Sequence, residues 1–163
     1  MRGLREWQFA GGGYAVIPQV RAMTGFPMRR DQENPWHPTS IPVRTLDAVV
    51  CQLWPSRGGI WLGGVEVKCS RADWLRELRA PEKTDAVAKF CSRFWIAVPE
   101  ATIVKKTELG GWGLITPDDK GRWYEKIPAT VRSEQDVAPL SIHFMAALLR
   151  RFDKKYREGG EPW

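Results

Sequence analysis

A glutamate and a lysine stand two residues apart in the apolar segment Val65-Glu66-Val67-Lys68. In a β-strand, residues two apart point to the same face, so the two charged side chains should project together. Asp47 lies in a second apolar run upstream, and pairing of the two runs would bring two carboxylates and an ammonium together. Carboxylates bind hard cations such as Mg²⁺, and an ammonium beside the ion can orient water or stabilise phosphate charge. These residue types therefore predict metal-assisted phosphodiester hydrolysis.

The elements that position these residues are β-strands. Alternating apolar residues and turn signals predict strands at residues 14–20, 42–54, 60–68, 93–98, 112–116 and 122–127, the last two forming a hairpin. Pro18 favours a sheet edge or a β-bulge in the first strand. The pair Gly63-Gly64 predicts a β-bulge in the third.

Helices are predicted both before and after the fourth strand along the sequence. Ser70-Arg71-Ala72-Asp73 has the form of a capping box, so a helix should begin there. Pro81 should interrupt it, with a second piece over residues 82–91 and a last helix over residues 139–156. Strand–helix–strand order predicts parallel pairing in a mixed sheet, hence an α/β (α+β) fold. The length suits one domain over residues 1–163, with a core at about 14–128.

Composition indicates a basic, globular chain. None of its 163 residues belongs to an apolar run near the roughly 20 residues that a membrane span needs. The polar N-terminus does not resemble a signal peptide, so we predict a soluble cytoplasmic protein without a membrane partner. The net charge of +6 favours a polyanion such as DNA. Cys51, Cys69 and Cys91 lack metal-site spacing and are interpreted as small core residues.

The order of motifs resembles a known superfamily. Asp47, then Glu66-Val67-Lys68, then a helix and a short apolar strand, is similar to the PD-(D/E)XK nucleases. Within that superfamily, residues 44–47, 65–74 and 91–99 resemble the MmcB-like DNA-repair nucleases, and the likeness covers residues 14–128. It implies a restriction-endonuclease-like mixed sheet flanked by helices, with a C-terminal hairpin and helix. The implied activity is that of a Mg²⁺- or Mn²⁺-dependent deoxyribonuclease in DNA repair, recombination or phage DNA processing.

The resemblance also implies roles for individual residues. Asp47 and Glu66 would bind Mg²⁺ or Mn²⁺ together with the backbone carbonyl of Val67. Lys68 would be catalytic.

Three further residues are accessory candidates. Glu6 lies in a short helix predicted over residues 3–9. Relatives often carry a glutamate in their first helix, although the shortness of this one favours a surface position for Glu6. Ser70 is first a helix cap and second a substrate contact. Lys83 lies on the helix after the motif, where relatives often place a polar residue facing the site. The chain also inserts residues 23–42, which could shape or cover the site.

Two other functions remain open at this point. A non-cleaving DNA-binding module would keep the basic surface without a metal site. A subunit of a repair complex would cut DNA only with a partner, and a homodimer is a further arrangement. Endonuclease and exonuclease action fit the sequence equally well.

Overall fold

Six β-strands form one mixed sheet, and their spatial order follows their order along the chain. The structure is a computed structural model that describes residues 13–23, 43–80, 82–140 and 144–150. The strands are β1 (Tyr14–Met23), β2 (Val43–Gln52), β3 (Trp61–Val67), β4 (Arg93–Ala97), β5 (Gly113–Pro117) and β6 (Trp123–Ile127). The predicted strands are all present, with small shifts at their ends.

Strand direction changes across the sheet. β1, β2 and β3 pair antiparallel, while β3, β4 and β5 pair parallel. β5 and β6 form an antiparallel hairpin. The predicted parallel pairing after Glu66 and the predicted hairpin are thus confirmed, and the fold is mixed α+β.

Helices α1 (Arg71–Arg79) and α2 (Glu82–Ala88) lie between β3 and β4 in sequence, and residues 144–150 form a third helix, α3. The Ser70 hydroxyl accepts the Asp73 N–H at 3.2 Å, as the capping motif predicts. The Asp73 carboxylate accepts the N–H of Cys69 at 3.4 Å, one residue earlier than in a standard capping box. In the part of the chain described, no helix combines the length and apolar character needed to cross a bilayer.

Two apolar clusters occupy the two faces of the sheet. The larger one includes Trp74 of α1, Val87 of α2 and Phe144 of α3, so it lies between the sheet and the helices. The smaller one lies on the other face and contains Val65, with Val67 packed against it. Because side chains alternate along a strand, Glu66 projects to the helix side of the sheet.

β1 is an edge strand, as Pro18 predicts. It pairs with β2 at Pro18↔Ala48 and at Val20↔Leu46. Between those pairs Gln19 has a φ of 51°, a left-handed conformation that is uncommon outside glycine. This backbone irregularity lies beside Asp47 on the neighbouring strand.

The bulge predicted at Gly63-Gly64 is wrong, because both glycines stay in the regular antiparallel ladder with β2. Their role is to make room for aromatic rings. A Cβ atom on Gly63 would stand 2.5 Å from Cζ3 of Trp95, and one on Gly64 would overlap the ring of Phe94.

The three cysteines are free thiols in different surroundings. Cys91 is buried and Cys51 is half-buried against the core, which agrees with the predicted role as small core residues. Cys69 is exposed, so the prediction is wrong there. It lies between the end of β3 and the cap of α1, where the chain has left the sheet.

Candidate metal centre

The ladder between β2 and β3 ends at the pair Ala48↔Val65, whereas β2 continues to pair with β1 as far as Val43. Asp47 and Glu66 are the next two residues and stand opposite each other where the ladder stops. We call the group of Asp47, Glu66, Lys68 and Glu77 the carboxylate fork.

Asp47 closes the end of the ladder with its side chain. Its Oδ2 accepts the backbone N–H of Val67 at 2.9 Å. In a continuing ladder a backbone carbonyl of β2 would accept this N–H, but here the side chain of Asp47 accepts it. This bond fixes the Asp47 carboxylate against the end of β3.

Glu66 contacts Asp47 through a hydrogen bond between the two carboxyl groups. Its side chain is only 12% exposed. Burial, followed by the charge of Asp47, raises the pKa of Glu66 to about 8, although Lys68 opposes the shift. Without a bound cation, Glu66 therefore keeps its proton near neutral pH.

Lys68 is buried, with 7% of its surface exposed. Its Nζ lies 2.8 Å from Oε2 of Glu77 and 3.5 Å from Oε2 of Glu66. Burial disfavours the ammonium, but the hydrogen bond to Glu77 and the charges of both glutamates outweigh it. The pKa of Lys68 is therefore raised, and the side chain is a cation.

Glu77 is a site residue that our reading of the sequence missed. It lies on α1 and binds Lys68 with one oxygen, while its other oxygen accepts the hydroxyl of Thr84 on α2. A signal existed in the helical spacing, since Glu77 follows the inward-facing Trp74 by three residues and so shares its face.

The Val67 carbonyl points toward the carboxylate fork. The Lys68 N–H donates to the carbonyl of Ala97 on β4 at 2.9 Å. In a trans peptide the C=O points opposite to the N–H that follows it, so the Val67 carbonyl points away from β4 and toward β2. That is the side on which Asp47 lies.

These donors fit a hard divalent cation. Mg²⁺ is usually held by one or two carboxylates and keeps several waters, so Asp47, Glu66 and the Val67 carbonyl suffice. Within the described ranges, no group of three or more His, Cys, Asp or Glu side chains is arranged to hold a metal. The fork has three carboxylates around one ammonium, and a divalent cation would offset the excess negative charge.

No described contact joins the accessory candidates to the carboxylate fork. Ser70 caps α1, which satisfies its first predicted role. The backbone of Lys83 belongs to α2, but its side chain lies outside what the structure describes. Glu6 and most of the 23–42 insert likewise lie outside the described residues.

Comparison with known proteins adds a likeness in fold. No family profile and no curated protein matches this chain. Among solved structures, it is similar to a protein of unknown function from Silicibacter pomeroyi, with a TM-score of 0.51 and 17% sequence identity. The match covers 96% of this chain and 83% of that one. At that identity the likeness concerns the fold alone and carries no activity.

Proposed function

We propose that this protein is a Mg²⁺- or Mn²⁺-dependent nuclease that hydrolyses phosphodiester bonds of DNA on a restriction-endonuclease-like fold. The observation that carries the proposal is the contact between Asp47 and Glu66 at the end of the β2–β3 ladder, with the buried ammonium of Lys68 3.5 Å from Glu66. A buried acid held against a second carboxylate is a poor structural partner but a suitable cation ligand.

Asp47, Glu66 and the Val67 carbonyl would hold the ion. When bound, it would polarise the scissile phosphate and lower the pKa of a bound water. The hydrogen bond from the Val67 N–H leaves Asp47 with its second oxygen to bind the ion.

Lys68 would provide the positive charge that the transition state requires. Negative charge develops on the phosphate during hydrolysis, and a fixed donor stabilises that charge more than it stabilises the ground state. Because Lys68 is buried and held by two carboxylates, its ammonium is fixed before substrate binds.

Glu77 would position Lys68. Its contact at 2.8 Å is the shorter of the two ion pairs of that ammonium, and Thr84 holds its other oxygen. The pair of helices after the motif would thereby fix the position of the catalytic cation.

The net charge of +6 supports a nucleic acid substrate, since basic groups neutralise phosphates without reading sequence. DNA binding should therefore weaken steeply with added salt.

The deciding experiment is a cleavage panel. Labelled single-stranded, duplex, flap and junction DNA would each be incubated with the protein in Mg²⁺, Mn²⁺ or EDTA. Cleavage with either metal, none in EDTA and none with Asp47→Asn would support the proposal. The exposed Lys120→Met variant is a matched control for handling and purity.

Two outcomes would replace the proposal. Salt-sensitive DNA binding without cleavage under any condition would indicate a non-catalytic DNA-binding module. Cleavage that appears only after a second protein is added would indicate a subunit of a repair complex.

A further inference from the structure

An open cleft of about 410 Å³ lies where β5, β6 and the 99–102 segment meet. Thr116 of β5 and Tyr124 and Lys126 of β6 line it. Thr116 follows Leu114, a member of the cluster under the helices, by two residues, so both point to the helix side of the sheet. Tyr124 pairs with Thr116 and therefore shares that side with Glu66 and Lys68 of the fork.

The cleft lies at the same end of the sheet as the fork. Lys68 bonds to Ala97 of β4, and the next residue, Val98, donates to Ile115 of β5 at 2.9 Å. Neighbouring strands are about 4.8 Å apart, so the β6 backbone lies about 14 Å from that of β3. A B-form strand advances about 3.4 Å per phosphate, so a strand held at the fork reaches the cleft within a few nucleotides.

The charges of the cleft disfavour a phosphate. Glu100, Asp118 and Asp119 line it, against a single cation, Lys126. Asp118 is turned to its own loop, where it accepts the N–H groups of Lys120 and Arg122. Glu100 and Asp119 are exposed carboxylates, which suit an amino group such as N4 of cytosine.

Tyr124 supplies the apolar part of such a site. It is 40% exposed on an edge strand, so a planar ring can stack on it. Stacking of this kind is worth about 1–3 kcal/mol per base and requires an unpaired base.

We propose that this cleft binds an unpaired nucleobase of the strand being cut, stacked on Tyr124 with its exocyclic amino group toward Glu100 and Asp119. The substrate is accordingly a single strand or a duplex with an unpaired end. This inference rests on the proposed nuclease function.

The test measures binding in EDTA, so that cleavage does not interfere. Fluorescently labelled oligodeoxycytidine and oligothymidine are titrated with the full chain and with Tyr124→Leu, Tyr124→Phe and Trp54→Leu. Tyr124→Leu should weaken binding roughly 5- to 150-fold, and Tyr124→Phe should keep it. Trp54 is 57% exposed at the far end of the same sheet, so Trp54→Leu is the matched control and should bind as the parent does.

Two further measurements test the inference without relying on the Tyr124→Leu variant. A single abasic position moved along oligodeoxycytidine should weaken binding to the parent at one position, by a factor similar to that of Tyr124→Leu. The double variant Glu100→Gln, Asp119→Asn should abolish any preference for cytidine over thymidine.

Any one of three results would overturn the inference. They are unchanged affinity of Tyr124→Leu, equal losses of affinity for Tyr124→Leu and Trp54→Leu, and equal losses of affinity at every abasic position. A cleavage assay distinguishes failure of this inference from failure of the proposed nuclease function. A parent that cuts DNA without dependence on Tyr124 refutes the cleft alone, while Tyr124-dependent binding without any cleavage refutes the nuclease function alone.

Discussion

Helix α1 connects two groups of charged residues with opposite properties. At its start, Arg71 and Trp74 both contact Glu108, which also accepts the N–H of Lys105 at 3.1 Å. Further along α1, Glu77 belongs to the carboxylate fork. We call the first group the Glu108 cluster.

The difference lies in how many donors each carboxylate has. The hydrogen bonds from Arg71, chiefly, and from Trp74 lower the pKa of Glu108 to about 2. Burial and a neighbouring acid raise the pKa of Glu66 to about 8. A carboxylate saturated with donors stabilises a fold, whereas acids that outnumber their donors form a site that a cation would complete.

The largest effect should follow loss of the cation in the fork. Lys68→Met keeps much of the apolar stem but removes the charge, so we expect cleavage to fall roughly 10²–10³-fold, the typical effect of removing one preorganised donor. Single-turnover cleavage with Mn²⁺ measures it, and Lys120→Met is the control. If a folded, Mn²⁺-binding Lys68→Met protein cut DNA within a few-fold of the parent rate, Lys68 would be a structural ion-pair partner.

The next effect concerns the metal itself. Asp47→Asn keeps an acceptor for the Val67 N–H but removes an anionic ligand. Mn²⁺ affinity should fall by at least the roughly 10–100-fold that outer-shell changes cause. Calorimetric titration with Mn²⁺ measures the change, and unaltered affinity would remove Asp47 from the ligand set.

Glu77→Gln should reduce cleavage by a smaller factor, about tenfold if the donor is misplaced but still present. The amide can still accept from Lys68, but the charge that helps to raise the pKa of Lys68 is gone. The alkaline limb of the pH–rate profile should therefore move to lower pH. A fall in rate with an unmoved limb would argue against a positioning role.

Stability should respond in opposite directions in the two groups. The native pKa of Glu66 exceeds its ordinary value of 4.5, so the native state holds a proton that the unfolded state has lost. Metal-free stability should accordingly fall as pH rises from about 4.5 to 8, and Glu66→Gln should be more stable than the parent above that range.

Glu108 has the reverse sign. Its lowered pKa stabilises the native state above pH 4.5, and this contribution disappears as pH falls toward 2. Glu108→Gln should thus be less stable than the parent at neutral pH. Denaturant unfolding in EDTA across pH tests both variants, and changes of the same sign would contradict the comparison.

The smallest effect is expected at the helix cap. Ser70→Ala removes the acceptor of the Asp73 N–H and should cost about 1 kcal/mol of unfolding free energy. Cleavage at saturating substrate should stay unchanged at a temperature where both proteins are folded. A large loss of rate without a loss of stability would instead make Ser70 a substrate contact.

Short-range patterns were the reliable part of the sequence. Alternation and turn residues located all six strands of the described sheet, and the spacing of Glu66 and Lys68 placed both on one face. The predicted site depended on the pairing of β2 with β3, which opposes Asp47 to Glu66, and strands adjacent in sequence usually pair.

What the sequence did not indicate depends on contacts between distant elements. Glu77 reaches Lys68 only because α1 packs over the end of β3, and Thr84 reaches Glu77 from a different helix. The glycine pair was misinterpreted for the same reason, since its neighbours Phe94 and Trp95 belong to β4. Local propensity cannot distinguish a bulge from a close aromatic contact.

Those two glycines also determine how accurately the proposed ligand can be placed. β3 lies beside an aromatic ring on each face, with Trp95 against Gly63 and Phe94 against Gly64. Shifting β3 by one residue would drive the side chain of Leu62 into the ring of Trp95, or that of Val65 into the ring of Phe94, depending on the direction. Either shift would also turn Glu66 away from the helices. The two glycines thus fix the alignment of β3 with its neighbours. They thereby fix the position of Glu66 along the sheet, although neither glycine belongs to the carboxylate fork.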